Sequence, residues 1–196
     1  MSHYFHTPEN ITGRRTITAR IWDVDYEFDT ANGVFSADGL DLGTSVLLRE
    51  SWPPDHATRL LDLGCGWGPI AVALARECPD AIVDAVDTNE LALALTAANA
   101  ARAGVPDRVR PTLPEHADPE ARYDEIWSNP PIRIGKDALH DLLLTWLPRL
   151  TPDGVARLVV GRNLGADSLQ RWLMEQGYAC ERVGSAKGFR VFAVTQ

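Results

Sequence analysis

The sequence predicts an α/β protein with a doubly wound, mostly parallel seven-stranded sheet. Three observations lead to this fold class. Short apolar strands alternate with amphipathic helices between residues 59 and 176, and a glycine-rich turn, residues 64–68, joins the first of these strands to its helix. Two final strands are separated only by residues 184–188, which predicts a closing antiparallel hairpin. Alternating strands and helices are joined by right-handed crossovers, so helices cover both faces of the sheet.

The first 57 residues are expected to form a small N-terminal cap layer made of a β-hairpin and a helix. β-branched and aromatic residues alternate over 16–22 and 25–28, which predicts the hairpin. The helix is expected from Leu42 to Glu50, because the stretch Ser51-Trp52-Pro53-Pro54 stops it. Residues 58–196 form the core, and the whole chain, 1–196, is expected to be one domain.

The core elements follow from apolar runs and from the residues that begin and end helices. The predicted core strands cover residues 59–64, 81–87, 109–113, 123–129 and 154–162, with 178–183 and 189–195 in the hairpin. The predicted helices run from Pro69 to about Cys78, from a cap at Thr88 or Asn89 to Arg102, from 137 to 147 and from 166 to 176. Residues 114–122 are proline-rich and too short for a full helix.

Composition limits the classes of function. The chain has 196 residues and a net charge of −8, which argues mildly against a general nucleic-acid binder. Residues 131–196, however, carry nine Lys and Arg against six Asp and Glu. No apolar run approaches the roughly 18 residues that span a membrane. The three cysteines lack metal-ligand spacing, so we expect free thiols, no metal site and a cytoplasmic protein.

The turn after the first core strand is typical of a nucleoside-binding loop. It reads Asp62-x-Gly64-x-Gly66-x-Gly68, with Cys65 and Trp67 between the glycines. Alternate glycines allow a tight turn and let a ligand touch the backbone, and the following helix presents free N–H groups. The spacing resembles that of class I S-adenosylmethionine-dependent methyltransferases, in which Asp62 would lie near the cofactor's ammonium group or order the loop. A tight strand–helix turn without a ligand is the alternative.

Asp87 is the second candidate cofactor ligand. It ends the second core strand, nineteen residues after Gly68, and a carboxylate there can accept both ribose hydroxyls. Alternatively, Asp87 is the N-cap of the helix that starts near Thr88. The adjoining Thr88 and Asn89 are also predicted to contact the cofactor.

The stretch Ser128-Asn129-Pro130-Pro131 ends the fourth core strand and has the features of an amine clamp. The lone pair of a purine exocyclic amine is delocalised into the ring, so a catalyst must hold the amine with acceptors only. Asn129 offers a side-chain carbonyl, and Pro130 offers a backbone carbonyl without an N–H. Pro131 stiffens the peptide and biases Pro130 to an extended conformation. The alternative is a simple Asn-Pro-Pro turn.

The stretch Asn129-Pro130-Pro131-Ile132-Arg133-Ile134-Gly135-Lys136 resembles the N-P-P-I-R-x-G-K form of a family of stand-alone domains. These are similar to the catalytic half of small-subunit ribosomal RNA guanine-N2 methyltransferases. Further stretches agree with this resemblance: His3-Tyr4-Phe5, Gly33-Val34-Phe35-Ser36, Asp41-Leu42-Gly43-Thr44 and Lys187-Gly188-Phe189-Arg190-Val191.

The resemblance implies the class I methyltransferase fold, S-adenosylmethionine as cofactor, and transfer to a guanine amine in ribosomal RNA or a ribosomal subunit precursor. It also implies that Phe35 and Ser36 lie over the cofactor or the target base. Thr44 would lie near the methionine end of the cofactor, with Ser128 also at the cofactor site. Two-domain relatives place an aromatic residue after Asn-Pro-Pro to stack on the flipped base, and here Ile132 takes that place. Another side chain, such as Phe35, is then expected to stack on the base, or the stacking is expected to be weaker.

The RNA backbone would need cations near the clamp. Arg133 and Lys136 follow it directly, Arg162 ends the fifth core strand, and Lys187 and Arg190 border the last hairpin. A doubly wound sheet would place these side chains at one rim, where they would contact phosphates; solubilising surface charge is the alternative.

Several other functions stay open from the residues alone. Asn-Pro-Pro also serves methylation of adenine amines and of protein glutamine amides. A non-catalytic ribosome assembly factor that only binds the cofactor and a small-molecule methyltransferase are further alternatives. The protein is expected to act without a membrane, as a monomer or homodimer.

Overall fold

The computed structural model describes residues 12–196, so the predicted His3-Tyr4-Phe5 stretch lies outside the described residues. The described chain contains a seven-stranded sheet with the order β5-β4-β3-β6-β7-β9-β8 and a separate two-stranded sheet, β1-β2. The strands are β1 (Arg15–Ile21), β2 (Val24–Thr30), β3 (Arg59–Leu63), β4 (Ile82–Val86), β5 (Val109–Thr112), β6 (Tyr123–Ser128), β7 (Leu150–Gly161), β8 (Ala179–Ala186) and β9 (Phe189–Thr195). The helices are α1 (Leu42–Glu50), α2 (Pro69–Glu77), α3 (Glu90–Arg102), α4 (Lys136–Trp146) and α5 (Ala166–Glu175).

Strand directions confirm the predicted fold class. β3 pairs in parallel with β4 and β6, β4 with β5, and β6 with β7, whereas β9 runs antiparallel to β7 and β8. The chain adds strands outward from β3 to β5 and then returns to add β6 on the other side. The strand order therefore reverses between β3 and β6, which is where ligands bind in open α/β sheets.

The closing hairpin is tighter than predicted. The sequence places a loop at residues 184–188, but β8 continues to Ala186, and only Lys187 and Gly188 form the turn. Both turn residues have positive φ, 49° and 82°, as two-residue hairpins of type I′ require. A register shift between Arg182 and Gly184 lets β8 pass Gly184 without ending, and a Cβ at Gly184 would lie 2.7 Å from the Glu50 side chain.

Apolar side chains form one cluster on each face of the sheet. The first contains residues of the N-terminal hairpin and of α1, α2 and α3, and the second contains residues of α4 and α5. Burial of these side chains supplies the main driving force for folding. The two clusters therefore determine which elements lie on each face of the sheet near the carboxyl ends of β3 and β6.

The N-terminal cap packs directly on the sheet. Trp22 lies edge-on to Trp127 with ring centroids 5.8 Å apart, and its Nε1–H donates to the carbonyls of Leu48 and Ser51. Phe28 packs on Trp67 at 5.0 Å. These contacts connect the hairpin to both α1 and the glycine-rich turn. Among the described residues, none of the helices has the length and apolar character needed to cross a bilayer.

Candidate active site

The three glycines of the loop after β3 have different surroundings. All three have positive φ: 78° at Gly64, 56° at Gly66 and 86° at Gly68. A Cβ built on Gly64 or Gly66 would meet no atom within 4 Å, whereas one on Gly68 would lie 2.8 Å from the side chain of Thr96. Gly64 and Gly66 thus leave open space at the loop, while Gly68 allows α3 to approach closely.

Asp62 is fully buried and holds the loop from behind. Its Oδ2 accepts a hydrogen bond from the Ala71 N–H of α2 at 2.9 Å, while its Oδ1 has no partner in the described part of the chain. Burial, and secondarily the nearby charge of Asp87, raise the pKa of the Asp62 carboxyl to about 8. A buried oxygen without a partner is costly, so a cationic ligand group beside it would be stabilised.

Asp87 joins the end of β4 to the glycine loop. Its Oδ2 accepts from the Gly66 N–H at 2.9 Å and its Oδ1 from the Asn89 N–H at 2.9 Å. The N-cap of α3 is Asn89, whose side chain accepts from the Leu91 N–H, so Asp87 does not fill that position. Asn89 also donates to the Gly33 carbonyl, and Thr88 is exposed. Asp87 is only partly buried, so its remaining lone pairs can reach a ligand.

A groove runs along the loop and ends at Asn129. Its lining comes from the loop, from the start of α2, from α1 and from the segment after β2: Phe35, Ser36, Leu40, Asp41, Thr44, Gly64, Cys65, Gly66, Trp67, Pro69, Ile70 and Asn129. Its accessible volume is only about 30 Å³, so it is a narrow groove. The structure thereby brings Phe35, Ser36, Thr44 and the loop residues to the same place as Asn129.

Cys65 and Trp67 line this groove, but both side chains are almost completely buried. Cys65 is buried, and burial raises the pKa of its thiol well above the usual range. Trp67 is also buried, and its Nε1–H donates to the Ser36 carbonyl at 3.3 Å. Its ring therefore attaches the segment after β2 to the loop. Phe35, in contrast, is exposed by 67% at the groove.

Sequence reasoning missed two residues of α3 that hold the loop. The Thr96 hydroxyl donates to the Gly66 carbonyl at 2.9 Å. The buried Asn99 donates to the carbonyls of Trp67 at 2.8 Å and Asp29 at 3.0 Å, and accepts from the Asp29 N–H at 2.7 Å. Thr96 and Asn99 are one helical turn apart, so they share a face. The spacing of the two residues is visible in the sequence, but the backbone groups that they bind are not.

The amide of Asn129 has a defined orientation. Its Nδ2 donates to Asp41 Oδ2 at 2.8 Å and to Thr44 Oγ1 at 3.1 Å. Because a carboxylate can only accept, the amide nitrogen must face Asp41, and the Oδ1 of Asn129 stays free to accept. Asp41 also caps α1 through the N–H groups of Gly43 and Thr44. This positioning role of Asp41 was not recognised from the sequence.

The two prolines form a tight turn. The Pro130 carbonyl already accepts from the Ile132 N–H at 2.8 Å, and Pro131 has φ −74° and ψ 75°. This geometry is an inverse γ-turn. One lone pair of the predicted Pro130 acceptor is therefore already used, and the oxygen keeps a second lone pair. Asn129 is left as the acceptor that lines the groove.

Ser128 lies inside the sheet. It is fully buried, and its hydroxyl donates to the Leu63 carbonyl at 2.7 Å. The side chain joins β6 to β3 and does not line the groove, which differs from the predicted cofactor contact. Its role in the structure is to fix the relative height of the two strand ends.

Four of the five predicted phosphate-contacting residues lie beyond the carboxyl ends of β6 and β7. Arg133 and Lys136 follow the clamp, Arg162 follows β7, and Lys187 lies in the β8–β9 turn. The Arg162 N–H donates to the Gly188 carbonyl at 2.8 Å, which places the last two side by side. All four are exposed, and within residues 12–196 none forms an ion pair. Arg190 differs, because it is paired with Asp167.

A doubly wound sheet with a glycine loop after β3 and Asn-Pro-Pro after β6 defines a class I methyltransferase architecture. The chain belongs to the methyltransferase small domain family, whose model matches residues 25–193.

Comparisons with relatives agree with this assignment. The solved 16S rRNA N2 G1207 methyltransferase (RsmC) of T. thermophilus, in complex with AdoMet and guanosine, is 25% identical with a TM-score of 0.80, over 96% of this chain and 52% of that chain. The ribosomal RNA small subunit methyltransferase C of Hahella chejuensis is 43% identical over 54% of this chain and 30% of its own length. The protein YbxB of Bacillus subtilis is 29% identical over 96% of this chain and 95% of its own length. The chain thus spans about half or less of the two ribosomal RNA methyltransferases.

Proposed function

We propose that this protein transfers a methyl group from S-adenosylmethionine to the N2 amine of guanine in small-subunit ribosomal RNA. The observation that carries the proposal is the orientation of Asn129. Its carbonyl is free, its nitrogen is bound, and it ends the groove of the glycine loop. The relative solved with AdoMet and guanosine supports the same cofactor and the same base.

The loop residues fit the cofactor. Gly64 and Gly66 leave open space where a nucleoside can touch the backbone, and Asp87 can accept ribose hydroxyls. The unpaired Oδ1 of Asp62 is suited to a cationic ammonium group. When bound, S-adenosylmethionine supplies a methyl group on a positively charged sulfur.

Asn129 would hold the amine so that its nitrogen faces the donor. The Oδ1 of Asn129 accepts one amine hydrogen, and the second lone pair of the Pro130 carbonyl is available for the other. Hydrogen bonds to acceptors alone draw the amine out of conjugation with the ring, and a fixed geometry lowers the entropic cost of reaction. Asp41 and Thr44 keep the Asn129 carbonyl in place.

The substrate and the assembly are also part of the proposal. The four unpaired cations at the rim would contact phosphates of ribosomal RNA or of a ribosomal subunit precursor in the cytoplasm. The chain would act as one domain, as a monomer or homodimer. A target guanine in a helix would have to be flipped out.

The experiment is transfer of tritiated methyl groups to ribosomal RNA, bulk DNA and a protein fraction. We expect label in ribosomal RNA only, at one nucleotide that mapping identifies as N2-methylguanine. Asn129→Ala should lower the rate by at least a hundredfold while cofactor affinity stays within a few fold, since hydrogen-bond stabilisation of this kind is worth about 10²–10³. Gln176→Ala, which removes an exposed amide at the far end of α5, is the control. Label on adenine or on a protein glutamine would refute the guanine assignment.

A further inference from the structure

A second cavity lies beside the clamp on the other face of the sheet. It has a volume of about 280 Å³ and sits between α4, α5 and the end of β7. Leu139, Val160 and Leu169 of the second core cluster form its apolar walls together with Ile132, which packs against that cluster, and with the exposed Leu164. The cavity shares no lining residue with the glycine-loop groove, to which the first cluster contributes Cys65, Trp67 and Ile70.

The cavity is apolar inside and polar at its mouth. Lys136, His140 and Ser168 supply the polar part of the lining, and no acidic side chain lines it among residues 12–196. Leu164 is exposed by 56%, so an occupant would cover apolar surface that now faces solvent. His140 is stacked on Trp172 with ring centroids 3.5 Å apart and 8° between the planes, which fixes the imidazole at the edge of the cavity. Such a combination suits a flat, partly polar ring.

The position of the cavity indicates which kind of ring would occupy it. Ile132 directly follows Asn129-Pro130-Pro131 and lines the cavity, so the cavity begins where the clamp ends. Arg133 follows Ile132, and Arg162 lies between Val160 and Leu164, so exposed cations flank both sides. A polyanionic strand held at Asn129 would therefore continue past this opening.

We propose that this cavity receives the base of the nucleotide that adjoins the target guanine in the RNA strand. The inference rests on the proposed function and adds a second base-binding position to it. The aliphatic walls bury the ring, and Lys136 and Arg162 contact the phosphates that lead to it. Ser168 and His140 face the base edge, where they can donate and accept hydrogen bonds.

The state of His140 favours this role. Burial, and then the charge of Lys136, lower the pKa of His140, although Asp137 and Asp141 act against this. The ring is therefore mostly neutral at pH 7, with one nitrogen that donates and one that accepts. A neutral imidazole reads a base edge by hydrogen bonding and adds no repulsion to Lys136.

The test uses a short single-stranded RNA with one central guanine and a matched RNA in which both neighbouring residues are abasic. Binding is measured by fluorescence anisotropy and methylation by tritium transfer. We expect the wild-type protein to bind the intact RNA on the order of tenfold more tightly than the abasic RNA, from burial of one ring. Ser168→Phe, which fills the cavity, should bind both RNAs equally, with the affinity that the wild-type protein has for the abasic RNA. Thr18→Phe on β1, an exposed residue of the N-terminal hairpin, is the control.

Two outcomes would overturn the inference. Equal wild-type affinity for the two RNAs would show that no neighbouring base is bound. Loss of methylation of both RNAs in Ser168→Phe would show that the cavity takes the target guanine itself. The proposed function fails separately, if the wild-type protein binds the intact RNA more tightly but methylates neither.

Discussion

The amide of Asn129 can act as an acceptor at the groove only because its nitrogen is already bound. Asp41 is 88 residues away in the chain, and its carboxylate decides which way the amide points. Gly43 makes this possible, since a Cβ there would lie 2.9 Å from Asp41 Oδ2 and 3.3 Å from the Asn129 amide nitrogen. The motif therefore predicts the residue proposed to hold the amine, and the fold determines the orientation of its amide.

Asp87 provides a direct test of the cofactor site. Asp87→Ala removes the acceptor for the Gly66 N–H and the proposed acceptor for ribose hydroxyls, and each hydrogen bond to a charged acceptor is worth about 1.5–3 kcal/mol. We expect at least tenfold weaker binding of S-adenosylmethionine by isothermal calorimetry. Glu90→Ala, an exposed acid at the start of α3, should leave affinity unchanged. Unchanged affinity in Asp87→Ala would remove this residue from the site.

The protonation of Asp62 makes stability depend on pH. Its pKa is about 8 in the folded protein, above the value in the unfolded chain, because burial penalises the charged form. Between about pH 4 and pH 8 the folded state holds a proton that the unfolded state has lost, so this group lowers stability as pH rises. Asp62→Asn should flatten that decline in urea unfolding curves measured from pH 5 to pH 8. An identical slope in both proteins would contradict the buried, protonated state.

At the scale of elements, the sequence predicted the ends of helices better than the contacts between elements. α1 and α3 begin and end where capping residues and prolines or glycines indicate them, because those signals are local. The β8–β9 loop was predicted too long, since Gly184 was read as a breaker. Its partner in the structure is Glu50, whose side chain occupies the space that a Cβ would need. Local signals do not contain such long-range contacts.

Helix α3 is the element that keeps the glycine loop in place. Asn99→Ala leaves backbone groups of Asp29 and Trp67 unpaired in the core, and each buried unpaired group costs about 1–3 kcal/mol. We expect the free energy of unfolding to fall by about 3 kcal/mol and the cofactor to bind more weakly. Thr96→Val, which keeps the side-chain shape, should show the same effects to a smaller extent. Full cofactor affinity in a folded Asn99→Ala protein would show that the hydrogen bonds of Asn99 stabilise only the N-terminal cap layer and not the glycine loop.

At the scale of the whole molecule, charge is separated between regions. The protein carries a net charge of −8, yet the four cations that form no ion pair within residues 12–196 lie beyond the strand ends where the clamp, the groove and the second cavity are found. Their shared position was predictable from the strand ends of a doubly wound sheet. The second cavity was not predictable, because α4 and α5 meet there only in three dimensions.

The proposed contact of these cations with RNA phosphates can be measured through the salt dependence of binding. In the variant Lys136→Ala/Lys187→Asn, asparagine tolerates the φ of 49° at position 187, so the hairpin turn should stay intact. Loss of two phosphate contacts should make the plot of log affinity against log salt shallower by about 1.4 for single-stranded RNA. Arg110→Ala, on the opposite edge strand β5, should leave the slope unchanged. A slope equal to that of the wild type would show that these two lysines do not contact phosphates and serve only as solubilising surface charge.

The buried carboxyl behind the glycine loop has one more consequence. Seating a positively charged ligand next to Asp62 would favour its ionised form, so the hydrogen it carries near neutral pH would leave for the solvent. The heat released on mixing would then differ between phosphate and Tris solutions, because each absorbs that hydrogen with its own enthalpy.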